Sequence, residues 1–160
     1  GNAIALSVTA ALEHYTATLA DVALKHPQLF ANLDEDLRYL IQWHAAEEIE
    51  HKAVTFDVLQ EVDNSYLMRL AGMLIGSIAL FYYASLNMVK FLAYDTSLKW
   101  STMPFKIVQA LPHLAVLGSQ IALNLLPYFK VDFHPNQVAN QQLAEQFFAQ
   151  SASYFAAKAS

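Results

Sequence analysis

The sequence contains no cysteine. That excludes disulfides, thiolate zinc sites and thiol nucleophiles, and it leaves the redox compartment open. Four glycines and five prolines in 160 residues are too few for the tight turns of an all-β protein. Alanine and leucine are plentiful instead, so the chain reads as all-α. Positive charge is scarce, with 9 Lys and Arg against 14 Asp and Glu and a formal charge of −5. No basic cluster suited to a phosphate backbone is present, and nucleic acid is not an expected partner. A Gly-rich phosphate loop, a Gly-x-Ser-x-Gly elbow and a His-Glu-x-x-His motif are also missing. The start, Gly1-Asn2-Ala3-Ile4, has no initiator Met and no basic leader; it reads as a cloning remnant, a processed start or the cut end of something longer.

What is present is apolar: 56% of the residues are hydrophobic. That is enough for one helical domain over residues 1–160 with a substantial core. A first helix is expected from Ala3 to Lys25, stopped by Pro27. A second is expected from Asp34, a capping residue followed by acidic Glu35 and Asp36, to Val62. The short link makes these two antiparallel neighbours. A third helix, Ser65–Leu98, has no charge over 70–89, and a fourth, Ile107–Phe129, has none at all. Both runs are long enough to cross a bilayer, with Lys90, Lys99 and Lys106 in the turn between them. Gly72 and Gly76 have the spacing that lets helices approach closely. A buried place in a soluble bundle explains the same runs, so the expected location is cytoplasmic or membrane-associated. A last amphipathic helix, Pro135–Lys158, carries Val138, Leu143, Phe147, Phe148, Tyr154 and Phe155.

The chemistry is concentrated in Trp43-His44-Ala45-Ala46-Glu47-Glu48-Ile49-Glu50-His51-Lys52. Stepping by four and three, Leu37, Ile41, His44, Glu48, His51, Thr55, Val58 and Val62 trace one helix face with an apolar stripe at its ends and polar groups at its middle. An inward carboxylate needs compensation, and Glu48 and His51 form a Glu-x-x-His pair of the kind that binds Zn, Fe or Mn. The competing reading is a solvated, charge-laced helix in which these residues pair with each other. On the first helix the stripe Leu6, Ala10, Glu13, Ala17, Ala20 and Leu24 sets Glu13 level with Glu48. Alternatively, that seam is rotated by one residue and Glu13 lies at the surface.

Two blocks, Ala11-Leu12-Glu13-His14-Tyr15-Thr16-Ala17 and residues 43–57, resemble the family of predicted metal-dependent hydrolases. The resemblance implies a ferritin-like antiparallel bundle of about five helices, in which helices contribute a Glu and a Glu-x-x-His to a carboxylate-bridged divalent metal site. It implies Glu13, Glu48 and His51 as ligands, His44 as a neighbouring candidate and Glu47 as an unligated general base. The family pattern has a second such half upstream. The resemblance therefore implies either the C-terminal part of a longer protein or a homodimer that completes a dinuclear site. His113, His134 and Glu145 are isolated and do not restore that half. Hydrolysis is the implied reaction; di-iron or di-manganese oxidoreductase chemistry, and a non-enzymatic membrane or interaction module, are the alternatives. The apolar helices suggest a hydrophobic small-molecule substrate.

Overall fold

A computed structural model describes the backbone of residues 2–158 and side chains through Ser151. The helices are α1 (Asn2–Lys25), α2 (Glu35–His51), α3 (Val54–Val62), α4 (Tyr66–Tyr94), α5 (Met103–Leu125) and α6 (Gln141–Lys158). No strand occurs among the described residues. The all-α expectation holds. With α2 and α3 counted as one broken arm, the arms number five.

Local chemistry sets the ends. α1 stops ahead of Pro27, which opens a short 3-10 turn. Asp34 caps α2 by accepting from Asp36 N at 2.9 Å, and Ser65 caps α4 by accepting from Met68 N at 3.4 Å. The break after His51 was not expected: Lys52 and Ala53 leave the helix for two residues without a glycine or proline. Pro135 opens a separate 3-10 turn, so the last helix starts at Gln141 instead. Tyr154 and Phe155 lie outside the residues whose side chains are described.

α1 is the axis. It runs antiparallel to α2, with Thr16 on Glu48 and Glu13 on Thr55, and antiparallel to α5, with His26 on Gln120 and Asp21 on Asn124. It runs parallel to α4, with Ser7 on Met68 and Tyr15 on Ser77. α6 closes the far side of α2, seating Ala144 among Ala45, Ala46 and Ile49. A second cluster joins Ala11, Phe56, Met73, Tyr128 and Phe133. Alanine at so many core places lets the helices approach closely, since close packing needs small side chains where backbones meet.

The core frames differ from the sequence reading by one residue. In the second arm the buried line is Ala45, Ile49, Lys52, Phe56 and Leu59, whereas Leu37, Val58 and Val62 of the expected stripe are exposed. In α1 the buried line is Ser7, Ala11, His14, Thr18 and Asp21, flanked by Ala10, Ala17 and Ala20. Four-and-three stepping suits adjacent frames equally. The true frame includes a lysine and an aspartate, which apolar patterning rejects.

Besides their packing along α1, α4 and α5 are fastened at their shared base. Arg69 donates to the carbonyl of Lys130 and, at 3.5 Å, to that of Phe133; the Tyr66 hydroxyl donates to the carbonyl of Phe129 at 2.7 Å. The buried residues of α4 are Arg69, Gly72, Met73 and Gly76, all in its first half, and α5 has none.

Candidate metal centre

One face of α1 and the facing side of α2 enclose a cleft of about 430 Å³, lined among others by Glu13, Thr16, Trp43, His44, Glu47, Glu48 and His51. The structure thus brings every expected site residue to one place. It orients them less inwardly than the expected seam did. The imidazoles of His44 and His51 are 68% and 65% exposed, and the carboxylates of Glu48 and Glu47 27% and 32%. The one-residue rotation moves Ala45 and Ile49 inward and leaves the acids on the shoulder of the helix.

Each carboxylate has a protein partner. The backbone N–H of Thr55 donates to Glu13 Oε2 at 3.2 Å, and the Thr55 hydroxyl donates to Glu13 Oε1. Thr55 belongs to the first turn of α3, whose N-cap Ala53 offers no side-chain acceptor. Glu13 therefore supplies from α1 the cap that α3 lacks, with its negative charge at the positive end of the helix dipole. The Thr16 hydroxyl donates to Glu48 Oε2 at 2.6 Å. His44 Nε2 stands 3.5 Å from Glu48 Oε1, and His51 Nδ1 stands 3.8 Å from Glu47 Oε2. These are one-turn pairs of modest strength.

Carboxylate and imidazole are the donors that iron, manganese and zinc take, so the cleft fits a divalent metal by ligand chemistry. Placement supplies less. Among the described residues no three His, Asp or Glu side chains converge on one point. The donors stand two by two, and Glu13 is engaged at α3.

Behind the cleft lies a polar core that apolar patterning does not show. Buried Lys52 donates from Nζ to the Val138 carbonyl at 2.8 Å and to Asn140 Oδ1 at 2.6 Å. Burial holds its ammonium below the ordinary lysine value, opposed by the charge of Asp21. Buried Asp21 accepts from Lys25 at 2.7 Å and from Asn124 at 3.0 Å through Oδ2. His14 is enclosed by Tyr128 and Phe133, with ring centroids 4.9 and 5.1 Å away. The available signal was polar residues recurring at heptad places in both arms: His14, Thr18 and Asp21 in α1, and Lys52 in the second.

Burial lowers the pKa of His14 from 6.5 to about 4, against hydrogen bonds to the backbone at Leu125 and Asn124 that raise it. The folded protein thus holds a neutral imidazole that the unfolded chain protonates below pH 6.5. Stability from this group is complete above pH 6.5 and is lost as the pH falls toward 4. The expected loss is about 3 kcal/mol. Urea unfolding at pH 7 and pH 4 checks it: wild type should lose about that much more than His14→Phe. Equal losses in the two proteins would refute the neutral buried imidazole.

No curated protein and no solved structure matches the chain. Residues 1–139 match the family described as predicted metal-dependent hydrolases. That match takes in α1, the cleft, both apolar helices and the polar core except Asn140, and the chain belongs to this family.

Proposed function

We propose that the α1–α2 cleft is the metal site of a metal-dependent hydrolase. Glu13, Glu48 and His51 are its ligands, His44 the adjacent donor and Glu47 the base. The observation that carries this reading is the gathering of all five residues in one open cleft of a chain whose family is metal-dependent. A divalent metal, when bound, supplies Lewis acidity to a hydrolysis. The protein's own part is to hold donors and move a proton: Glu48 is steadied by the Thr16 hydroxyl, and Glu47 takes the proton as base beside His51, whose Nδ1 lies 3.8 Å from its carboxylate and whose Nε2 is left for ligation. Ligation by Glu13 requires that Thr55 release the carboxylate.

The two-by-two placement supports a site finished by a second set of donors. Two chains would bring four carboxylates and two imidazoles of the type held by Glu13, Glu48 and His51, the complement of a dinuclear ferritin-like centre. Iron or manganese in such a centre would serve oxygen chemistry instead, and the identity of the bound metal separates these readings.

Metal analysis of protein purified without a chelating resin tests the assignment. Stoichiometric zinc, iron or manganese should fall to traces in Glu48→Ala and in His51→Ala, and remain in Glu145→Ala, whose side chain is exposed on α6. A metal-free wild type, with unchanged melting in the first two variants, would reduce the cluster to a solvated network of ion pairs. Sedimentation of the metal-loaded protein tests the shared site, and a strict monomer would remove it.

A further inference from the structure

The second half of α4 and the first half of α5 contain no buried residue, and their composition is that of a membrane segment. Apolar stretches whose 18-residue windows are 22% and 0% buried are not the core helices of a bundle. Large exposed side chains also point to opposite sides of each helix. On α4, Leu74, Ile78 and Phe81 are 63% exposed, and Tyr83 and Tyr94, about half a turn round, are 61% and 84% exposed. On α5, Phe105, Val116 and Leu123 are exposed on one side and Ile107, Leu111 and Leu114 on the other. A docked protein helix covers one stripe, whereas a fluid apolar phase covers the circumference.

Charge and polarity agree. The charge-free intervals, 70–89 and 107–129, are about 30 and 35 Å long as helix, enough for a hydrocarbon layer. They begin together at the base, where Arg69 meets the Lys130 carbonyl. They end together at a turn bearing Lys90, Lys99 and Lys106 against Asp95 alone, a positive spot on a chain of net charge −5. Tyr94 and Trp100 at the turn are 84% and 64% exposed, as headgroup-level aromatics are. Three polar side chains inside the intervals bond to their own helix, Ser77 to the Met73 carbonyl at 2.6 Å, Asn87 to the Tyr83 carbonyl at 2.9 Å and Ser119 to the Val116 carbonyl at 2.7 Å, while Gln120 and Asn124, at the end of α5 that the bundle covers, bond to His26 and Asp21. That is how such groups are satisfied where water is absent. Where α1 covers the first half of α4 it presents Ser7, Val8, Ala11 and Tyr15, none of them charged.

We propose that the α4–α5 hairpin is embedded in a lipid bilayer, with Lys90, Lys99 and Lys106 against the headgroups of an anionic leaflet. The lipid is both the cover for this surface and the reason for its composition. The inference is independent of the metal assignment.

Flotation of the full chain with vesicles of phosphatidylcholine, with and without phosphatidylglycerol, tests it. The protein should float with both, more completely with the anionic vesicles, and stay bound through high salt and alkaline carbonate. Replacing all three lysines by glutamine should abolish the preference for anionic lipid while leaving carbonate-resistant binding. Ile78→Glu with Leu114→Glu, at exposed positions, should release the chain from the vesicles. Release of wild type by carbonate would show adsorption to headgroups only and overturn the proposal. So would a detergent-free soluble monomer that ignores vesicles, or a soluble oligomer in which second copies cover the helices. If the double variant does not fold, the wild-type arms decide alone.

Discussion

Gly72→Ala is expected to destabilise the protein by about 3 kcal/mol or more, although glycine to alanine inside a helix ordinarily gains about 1 kcal/mol. The reason is the crossing of α1 and α4. A Cβ on residue 72 would overlap the Ser7 hydroxyl and also the backbone carbonyl carbon and oxygen of Ser7. A flexible side chain could move away; a helix backbone moves only if the whole crossing opens. Opening it would also break the 2.7 Å bond from the Ser7 hydroxyl to the Met68 carbonyl. Gly76→Ala is the control on the same helix face. Its Cβ would meet Ala11 Cβ and the Val8 carbonyl oxygen at 3.6 Å and Leu12 Cδ2 at 3.7 Å, all ordinary contacts. That variant should match or exceed wild type. Thermal unfolding followed by helical circular dichroism should place the two far apart, and equal melting temperatures would show that the crossing yields cheaply.

The glycine pair illustrates what the sequence carries and what it omits. The spacing of Gly72 and Gly76 signals a close helix approach, but not that one glycine is indispensable and the other replaceable. That difference depends on where α1 arrives. Element positions were legible because their signals are local: Pro27 after α1, Asp34 with two acids opening α2, and Ser65 opening α4. The frame of each seam was not, since alanines fill both candidate frames and the buried one contains Asp21 and Lys52. The partners that make those charges tolerable, Asn124 and Asn140, are 103 and 88 residues away in the chain. That Glu13, His44, Glu47, Glu48 and His51 are neighbours was legible, and they line one cleft. Their pairing was not, because the break at Lys52 and Ala53 starts α3 beside Glu13 and diverts that carboxylate into capping.

The other large effect is expected at Arg69, which is 4% exposed and fastens the base of the hairpin to the body. Its guanidinium lies 5.0 Å from the Tyr66 ring centroid, 5.5 Å from that of Tyr128 and 5.7 Å from that of Phe56. Its two terminal nitrogens reach the carbonyls of Lys130, Val131 and Phe133, where the chain turns from α5 toward α6. Arg69→Ala would empty the space between three rings and leave those carbonyls without their donor, an expected loss of about 3 kcal/mol or more. Arg69→Lys keeps the charge but has no planar fork to serve several carbonyls or stack flat on rings, so it should recover only part of the loss. Arg69→Met separates packing from polarity: it fills the volume and donates nothing. If Met restores wild-type unfolding, the arginine is a spacer and the carbonyls manage alone. If Met remains near Ala while Lys rises above both, the donors hold the turn, and the guanidinium's bonds to the Lys130–Phe133 carbonyls are what fasten the base of the hairpin.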